Sequence, residues 1–263
     1  MTAIKDRAAQ GLPLKDELII DCHCHMGHWF NFNVPQGTAE DMLSMMDMLG
    51  IDKACVTAHS SIGPDFKFGN DMVIDAVKKY PDRFIGYCTI NPNYSEEEIR
   101  QELDRCFSID GMKAIKVHPG LHGCPIDYRK YDSTYQRANE LKCPVLIHVW
   151  GSEEVAAVVR LAGRFKDASF IMGHAGAEIL AMGEALEAVN NFDNIYVDLA
   201  ISRIYEGNVE WFVKEVGSKK VLFGSDMPFM DPRPTFGRLA FSDITEQEKQ
   251  DIFGLNMKRL LRL

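Results

Sequence analysis

The chain has 263 residues, 46% of them hydrophobic, with 29 basic against 38 acidic side chains and a net charge of −9. That balance, without any long Lys/Arg cluster, argues against nucleic acid or an anionic membrane surface as a partner. Seven cysteines, an odd number scattered along the chain, point to a reducing compartment rather than a disulfide framework. Residues 1–10 carry charges but no apolar signal-peptide core, and no apolar run nears the ~18 residues of a membrane span. The expectation is a soluble, cytoplasmic protein.

The first apolar run, Leu18-Ile19-Ile20, leads into Asp21-Cys22-His23-Cys24-His25-Met26-Gly27 and predicts a strand that ends in a loop. Strand alternation puts Asp21, His23 and His25 on one face and Cys22 and Cys24 on the other. Thr38, with Asp41 three residues on, predicts a helix over 42–49 stopped by Gly50. A strand over 51–58 and a helix over about 70–79 follow. Strand three is expected over 84–90, and Ser95 opens the next helix with Glu96, Glu97 and Glu98 in its first turn.

Strand four is expected over 112–117, ending Lys116-Val117-His118-Pro119, and a helix over 133–141 follows it. Strand five, 144–149, ends His148-Val149-Trp150, and a helix runs from Ser152 to about 165. Strand six, 169–173, ends His174-Ala175-Gly176, with a helix to about 190. Strand seven is expected over 194–199 and a helix over 209–216. Strand eight, 220–224, ends Ser225-Asp226-Met227-Pro228, and the last helical pattern covers 245–262.

Eight short apolar strands alternating with amphipathic helices, and no linker between them, predict one domain over 1–263 with a (β/α)8 TIM-barrel fold. A doubly wound open sheet is the rival, but no Gly-rich phosphate loop follows strand one. Active sites of this barrel sit at the C-terminal strand ends. The polar outliers fall there: His23 and His25, Lys116 and His118, His148, His174 and Asp226.

Two imidazoles side by side on one buried strand are costly without a cation. With His148 and Asp226 added from other strands, His23, His25, His148 and Asp226 are the expected metal ligands. Three histidines and a carboxylate suit one zinc ion, and manganese, iron, cobalt or nickel would also fit. A zinc finger built on Cys22 and Cys24 is excluded by their position opposite the histidines and by the lack of a partner Cys-x-x-Cys. Lys116 is read as an anchor for a substrate anion or a partner for Asp226, with a carboxylated bridging ligand as the alternative. His118 and Trp150 share the inward phase and are expected to face substrate. His28 and Arg203 are expected at the mouth, and Asp198 at the rim; His59 and His122 read as loop side chains.

His23-x-His25, His148, Gly173-His174-Ala175-Gly176 and Gly224-Ser225-Asp226-x-Pro228 together resemble the amidohydrolase superfamily. The resemblance is strongest to its amidohydrolase-related branch, which shares elements like residues 115–119 and Asn256-x-x-Arg259-Leu260-Leu261. It spans about residues 18–261. It implies metal-assisted hydrolysis of a small, anionic amide, lactone or ester, or, as in some members, non-oxidative decarboxylation. By the same resemblance His23, His25, His148 and Asp226 are ligands and His174 contacts the metal-bound water or a second metal. In the hydrolytic reading Asp226 takes the water's proton and His174 helps polarise the attacked carbonyl. A metal-dependent nuclease of TatD type is less well matched, because Lys116 and His118 stand where a glutamate is expected. A non-catalytic metal-binding barrel would need a lost ligand. The partner expected is a small molecule, and a homo-oligomer is compatible with the sequence.

Overall fold

In the computed structural model, which describes residues 3–201 and 205–263, eight strands form one parallel sheet in sequence order. They are β1 (Ile20–Met26), β2 (Lys53–Ala58), β3 (Phe84–Thr89), β4 (Met112–Val117), β5 (Pro144–Trp150), β6 (Ser169–Gly176), β7 (Ile195–Asp198) and β8 (Val221–Leu222). Helices join successive strands, so the architecture is the (β/α)8 barrel that the alternation predicts. Thr38 with Asp41, and Ser95 with Glu98, close reciprocal capping boxes at the helices Ala39–Leu49 and Glu96–Phe107. Each box satisfies N–H groups that the first helical turn would otherwise leave unpaired.

Two layers of apolar packing hold the sheet. Inside the barrel, Ile20, Cys22, Cys55, Ile85, Tyr87, Leu146, Ile171 and Leu222 form one cluster, joined by Met257 and Leu261 from the last helix. Outside, strand residues such as Val56, Ile115 and Ile147 meet helix residues such as Val73, Leu161 and Met182. Each buried aliphatic side chain contributes about 1.5–3 kcal/mol, so most of the stability lies below and around the polar strand ends rather than in them.

Strict alternation fails in β1. The pairing with β2 runs Ile20 to Lys53 and Asp21 to Ala54, then slips, and resumes with Cys24 opposite Val56. Across the slip, Cys22 joins the interior cluster while Cys24 stays in the outer one. Cys22 therefore does not lie on the face opposite His23, contrary to the expectation from period two: an extra residue lets both face inward.

Strand eight is shorter than expected, two residues against five. Beyond Leu222 the chain closes the barrel on β1 through separate hydrogen bonds: Cys22 N to Phe223 O at 2.9 Å, Asp226 N to His23 O at 2.8 Å and His25 N to Met227 O at 2.8 Å. The expected terminal helix is also interrupted, as Glu246–Gln250, a wide turn Asp251–Leu255, and Asn256–Leu261. In that turn Gly254 passes so close to the segment leading into β1 that a Cβ would lie 2.2 Å from Leu18 O. The Ile252 carbonyl accepts from Phe223 N at 3.0 Å, which ties the turn to the same seam. The helices Ile4–Ala9 and Pro232–Phe241 and the single helical turns His59–Ile62 and Pro119–His122 lie outside the sequence expectation.

Candidate metal centre and active site

The polar strand ends converge. His25 Nε2 lies 3.2 Å from Asp226 Oδ1, and His23 Nε2 is 3.8 Å from the same oxygen. His23, His25 and Asp226 thus offer three donor atoms within 4.8 Å of one another. Space for the His23 ring comes from two glycines. A Cβ on Gly173 would stand 3.1 Å from His23 Cε1 and 2.8 Å from Ile147 O, and one on Gly224 would stand 2.9 Å from His23 Cβ. His174 and Asp226 both have left-handed backbones, with φ of 63° and 64°. That conformation costs a residue with a Cβ on the order of 1 kcal/mol; at His174 it turns the side chain toward the site, although alternation with Ile171 inside and Phe170 and Met172 outside would not.

Asp198, at the end of β7, is fully buried and accepts three hydrogen bonds. Its Oδ2 takes His23 Nδ1–H at 2.8 Å, and its Oδ1 takes His174 N–H at 2.8 Å and Ala200 N–H at 3.1 Å. Asp198 also lies within donor distance of His23 and His174 as a possible metal group. With three N–H groups already ending on it, its role is to orient His23, leaving the Nε2 lone pair facing inward. Lys116 Nζ donates to that lone pair at 2.8 Å.

A second chain of bonds runs along β5 and β6. His174 Nδ1–H donates to Ala200 O. In a neutral His174 ring the remaining Nε2 accepts from His148 Nδ1–H at 3.0 Å, which leaves His148 Nε2 with an open lone pair. His118 stacks on His148 with ring centroids 4.0 Å apart. Asp21, beneath the site, accepts from His23 N at 3.1 Å and Ser225 N at 3.0 Å, and from Ser225 Oγ.

Burial dominates the electrostatics. It holds His23, His25, His118 and His148 well below the usual imidazole range, with the Lys116 charge adding to the effect on each. These rings are therefore neutral near pH 7, the form that can ligate a metal. Burial brings Lys116 down to about 8 against the pull of Asp226 and Asp198. It raises Asp226 and Asp198 above the ordinary carboxyl value, opposed by His174 and Lys116, and pushes Asp21 up to about 7. Neutral imidazoles and a carboxylate, packed together out of water, fit a divalent metal ion by the chemistry of the donor set.

A cavity of about 270 Å³ opens at these strand ends. His25, His59, His118, His148, His174 and Asp226 supply its polar lining; Trp29, Ile62, Trp150, Ile201, Phe229 and Met230 supply most of the apolar lining. Of the residues expected from sequence, the structure brings His23, His25 and Asp226 into one donor group. It places His148 and His174 beside each other on the cavity wall. His118 and Trp150 line the cavity. His28 is exposed and is not among the lining residues, while Lys116 is fully buried against His23 rather than on the cavity surface. Arg203 lies outside the described residues.

Two contributors read differently from the sequence. Asp198 is fully buried where a rim position was expected, although its alternation with Tyr196 in β7 is a signal for an inward carboxylate. His59 is 1% exposed, lines the cavity and is stacked between His25 and Trp29, with centroids 5.0 Å away on each side. Its place directly after the strand expected over 51–58, the position that also picks out His174, is the signal that could have found it. His59 Nδ1–H donates to Gly27 O at 2.9 Å.

Among solved structures, the chain is similar to 5-carboxyvanillate decarboxylase from Novosphingobium aromaticivorans, complexed with manganese and 4-hydroxy-3-methoxy-5-nitrobenzoic acid. The two share 17% identity with a TM-score of 0.78, over 97% of this chain and 99% of that one. It is similar to 2,6-dihydroxybenzoate decarboxylase from Rhizobium, at 16% identity and a TM-score of 0.75, over 94% and 99%. It is also similar to 4-oxalomesaconate hydratase from Rhodopseudomonas palustris, at 21% identity and a TM-score of 0.72, over 93% and 96%. No curated protein sequence matches. The amidohydrolase family model matches residues 20–263, nearly the whole barrel, and the chain therefore belongs to the amidohydrolase family, as an enzyme of that superfamily.

Proposed function

We propose that the protein is a metal-dependent non-oxidative decarboxylase of a small, planar, unsaturated carboxylic acid. The observation that carries this reading is the cavity itself, in which a compact group of metal donors adjoins walls of Trp29, Trp150, Phe229, Ile62, Ile201 and Met230. Flat aromatic and aliphatic walls suit a ring better than a peptide-like amide. A carboxylate taken out of water into such walls is destabilised relative to neutral carbon dioxide, which favours loss of the charged group. The similarity to two decarboxylases of aromatic acids supports the same choice, and outweighs the hydrolysis expected from the sequence motifs alone.

His23, His25 and Asp226 would hold the ion, with the open Nε2 of His148 facing the same cavity. When bound, the ion supplies a Lewis acid that orients the substrate's oxygens. Zinc and manganese both accept this donor set, and one ion suffices for the reaction. In the cleavage itself, the bond between the substrate carbon and its carboxyl carbon breaks, the electron pair stays on the substrate carbon, and carbon dioxide leaves. That carbon then takes a proton drawn from solvent at the cavity mouth, and Asp226, on the cavity wall, is the carboxyl group placed to relay it. Asp198 keeps His23 oriented, and Trp29 and Phe229, 4.9 Å apart edge to face, shield the ring from water.

The test is a panel assay on protein loaded with Zn2+ or Mn2+. Hydroxybenzoates and other unsaturated acids are scored for carbon dioxide release, and amides, lactones and esters for hydrolysis. Release of carbon dioxide from an aromatic acid, lost on chelation, is the expected result. Turnover confined to amides, lactones or esters would replace this reading with metal-assisted hydrolysis.

A further inference from the structure

The carboxylate that completes the donor group stands on the least regular part of the barrel. Regular pairing of β8 ends at Leu222, and residues 223–227 reach β1 by single hydrogen bonds. Asp226 is held there with a left-handed backbone. A strained residue on an irregular segment needs something else to fix it.

Asp21 is the group in position to do so. It is 0% exposed, does not line the cavity, and is separated from Ser225 by 204 residues in sequence. One of its oxygens accepts both His23 N–H and Ser225 N–H, at 3.1 and 3.0 Å. The other accepts Ser225 Oγ–H, and that hydroxyl oxygen in turn accepts Met227 N–H at 3.1 Å. Ser225 and Met227 flank Asp226 on both sides. A single carboxylate thus ties the backbone of one metal donor, His23, to both neighbours of another, Asp226.

We propose that Asp21 is a positioning residue of the metal centre, which acts through Ser225 to set Asp226 against His23 and His25. The inference rests on the reading of those three residues as ligands. Asp21 touches neither substrate nor ion; its effect is on where the ligand oxygen sits. Asparagine at this position keeps an oxygen for the two backbone N–H groups and offers its own N–H to Ser225 Oγ, so it preserves the tie. Alanine removes it.

The experiment compares wild type, Asp21→Asn, Asp21→Ala and Ser225→Ala by competition for Co2+ with a chromophoric chelator, together with the visible spectrum of bound Co2+. The spectrum reports ligand geometry, which a purely structural role would not move in a folded variant. Asp21→Ala is expected to lose about 10- to 100-fold in metal affinity, the usual cost of losing an outer-sphere partner, with an altered spectrum. Ser225→Ala should show a smaller loss and a spectral change in the same sense, and Asp21→Asn should stay near wild type. Should Asp21→Ala fail to fold, Ser225→Ala decides: affinity and spectrum identical to wild type would overturn the role of Asp21. Wild-type protein that takes up no Co2+ would instead overturn the ligand reading, and this inference with it.

Discussion

Asp198 shows how a single buried carboxylate can shape the site without touching a ligand's place in it. Three N–H groups, from the His23 ring and from the backbones of His174 and Ala200, end on its two oxygens. Asp198→Ala leaves all three buried and unpaired and frees the His23 ring to turn. Metal affinity should fall about 10- to 100-fold, measured by chelator competition; unchanged affinity in a folded variant would mean that packing alone orients His23. Asp226→Asn tests a different property of the same site. The amide keeps the volume but can neither carry the carboxyl proton nor offer an anionic oxygen, so turnover should drop by at least ~10²-fold with the thermal unfolding curve little changed. Near-normal turnover would remove Asp226 from the chemistry. At this scale the sequence was informative wherever a polar residue broke an apolar strand, as at His23, His25, His148 and Asp226. His59 carries the same strand-end signal after 51–58, but its burial depends on Trp29 and His25 packing on either side of it, which the sequence does not show.

The elements that carry these side chains were legible where period and caps agree. The capping boxes at Thr38 and Ser95 and the seven longer strands follow from local pattern. The slip in β1, the two-residue β8 and the wide turn at Asp251–Leu255 did not, because each is set by contacts between separate segments: β1 with β2 for the slip, and the end of the chain with its beginning for the other two. The glycines show the same dependence on distant neighbours. Gly173 is needed because the His23 ring and the Ile147 carbonyl stand against it, a fact invisible in the β6 sequence. Gly173→Ala should cost about 1–3 kcal/mol through overpacking, read from denaturant unfolding, and should weaken metal binding by displacing His23. A variant with wild-type stability and affinity would show that the ring has room to spare.

Across the whole molecule, buried titratable groups give stability an acid limb with opposing contributions. His122, in the turn after β4, is 3% exposed and its Nδ1 is 2.9 Å from Tyr131 Oη. Burial lowers it from 6.5 to about 4. Between those values the unfolded chain binds the proton and the folded one does not, so this contribution is present above pH 6.5 and lost as the pH falls toward 4. The buried histidines of the site act in the same sense, and Asp21, raised to about 7, acts in the opposite one. The difference between wild type and His122→Gln isolates one group: the variant should lose less stability over that window, by on the order of 2–3 kcal/mol. Parallel pH profiles for the two proteins would show that His122 does not titrate on folding.

The account turns on one ion held by one donor group, and anomalous diffraction from crystals of the metal-loaded protein, collected at the metal's absorption edge, tests it most directly. A single peak bonded to His23 Nε2, His25 and Asp226, with the Lys116 amine displaced from His23, is the predicted result. An anomalous map with no peak there, or with its peak at the Cys22 and Cys55 thiols inside the barrel, would contradict it.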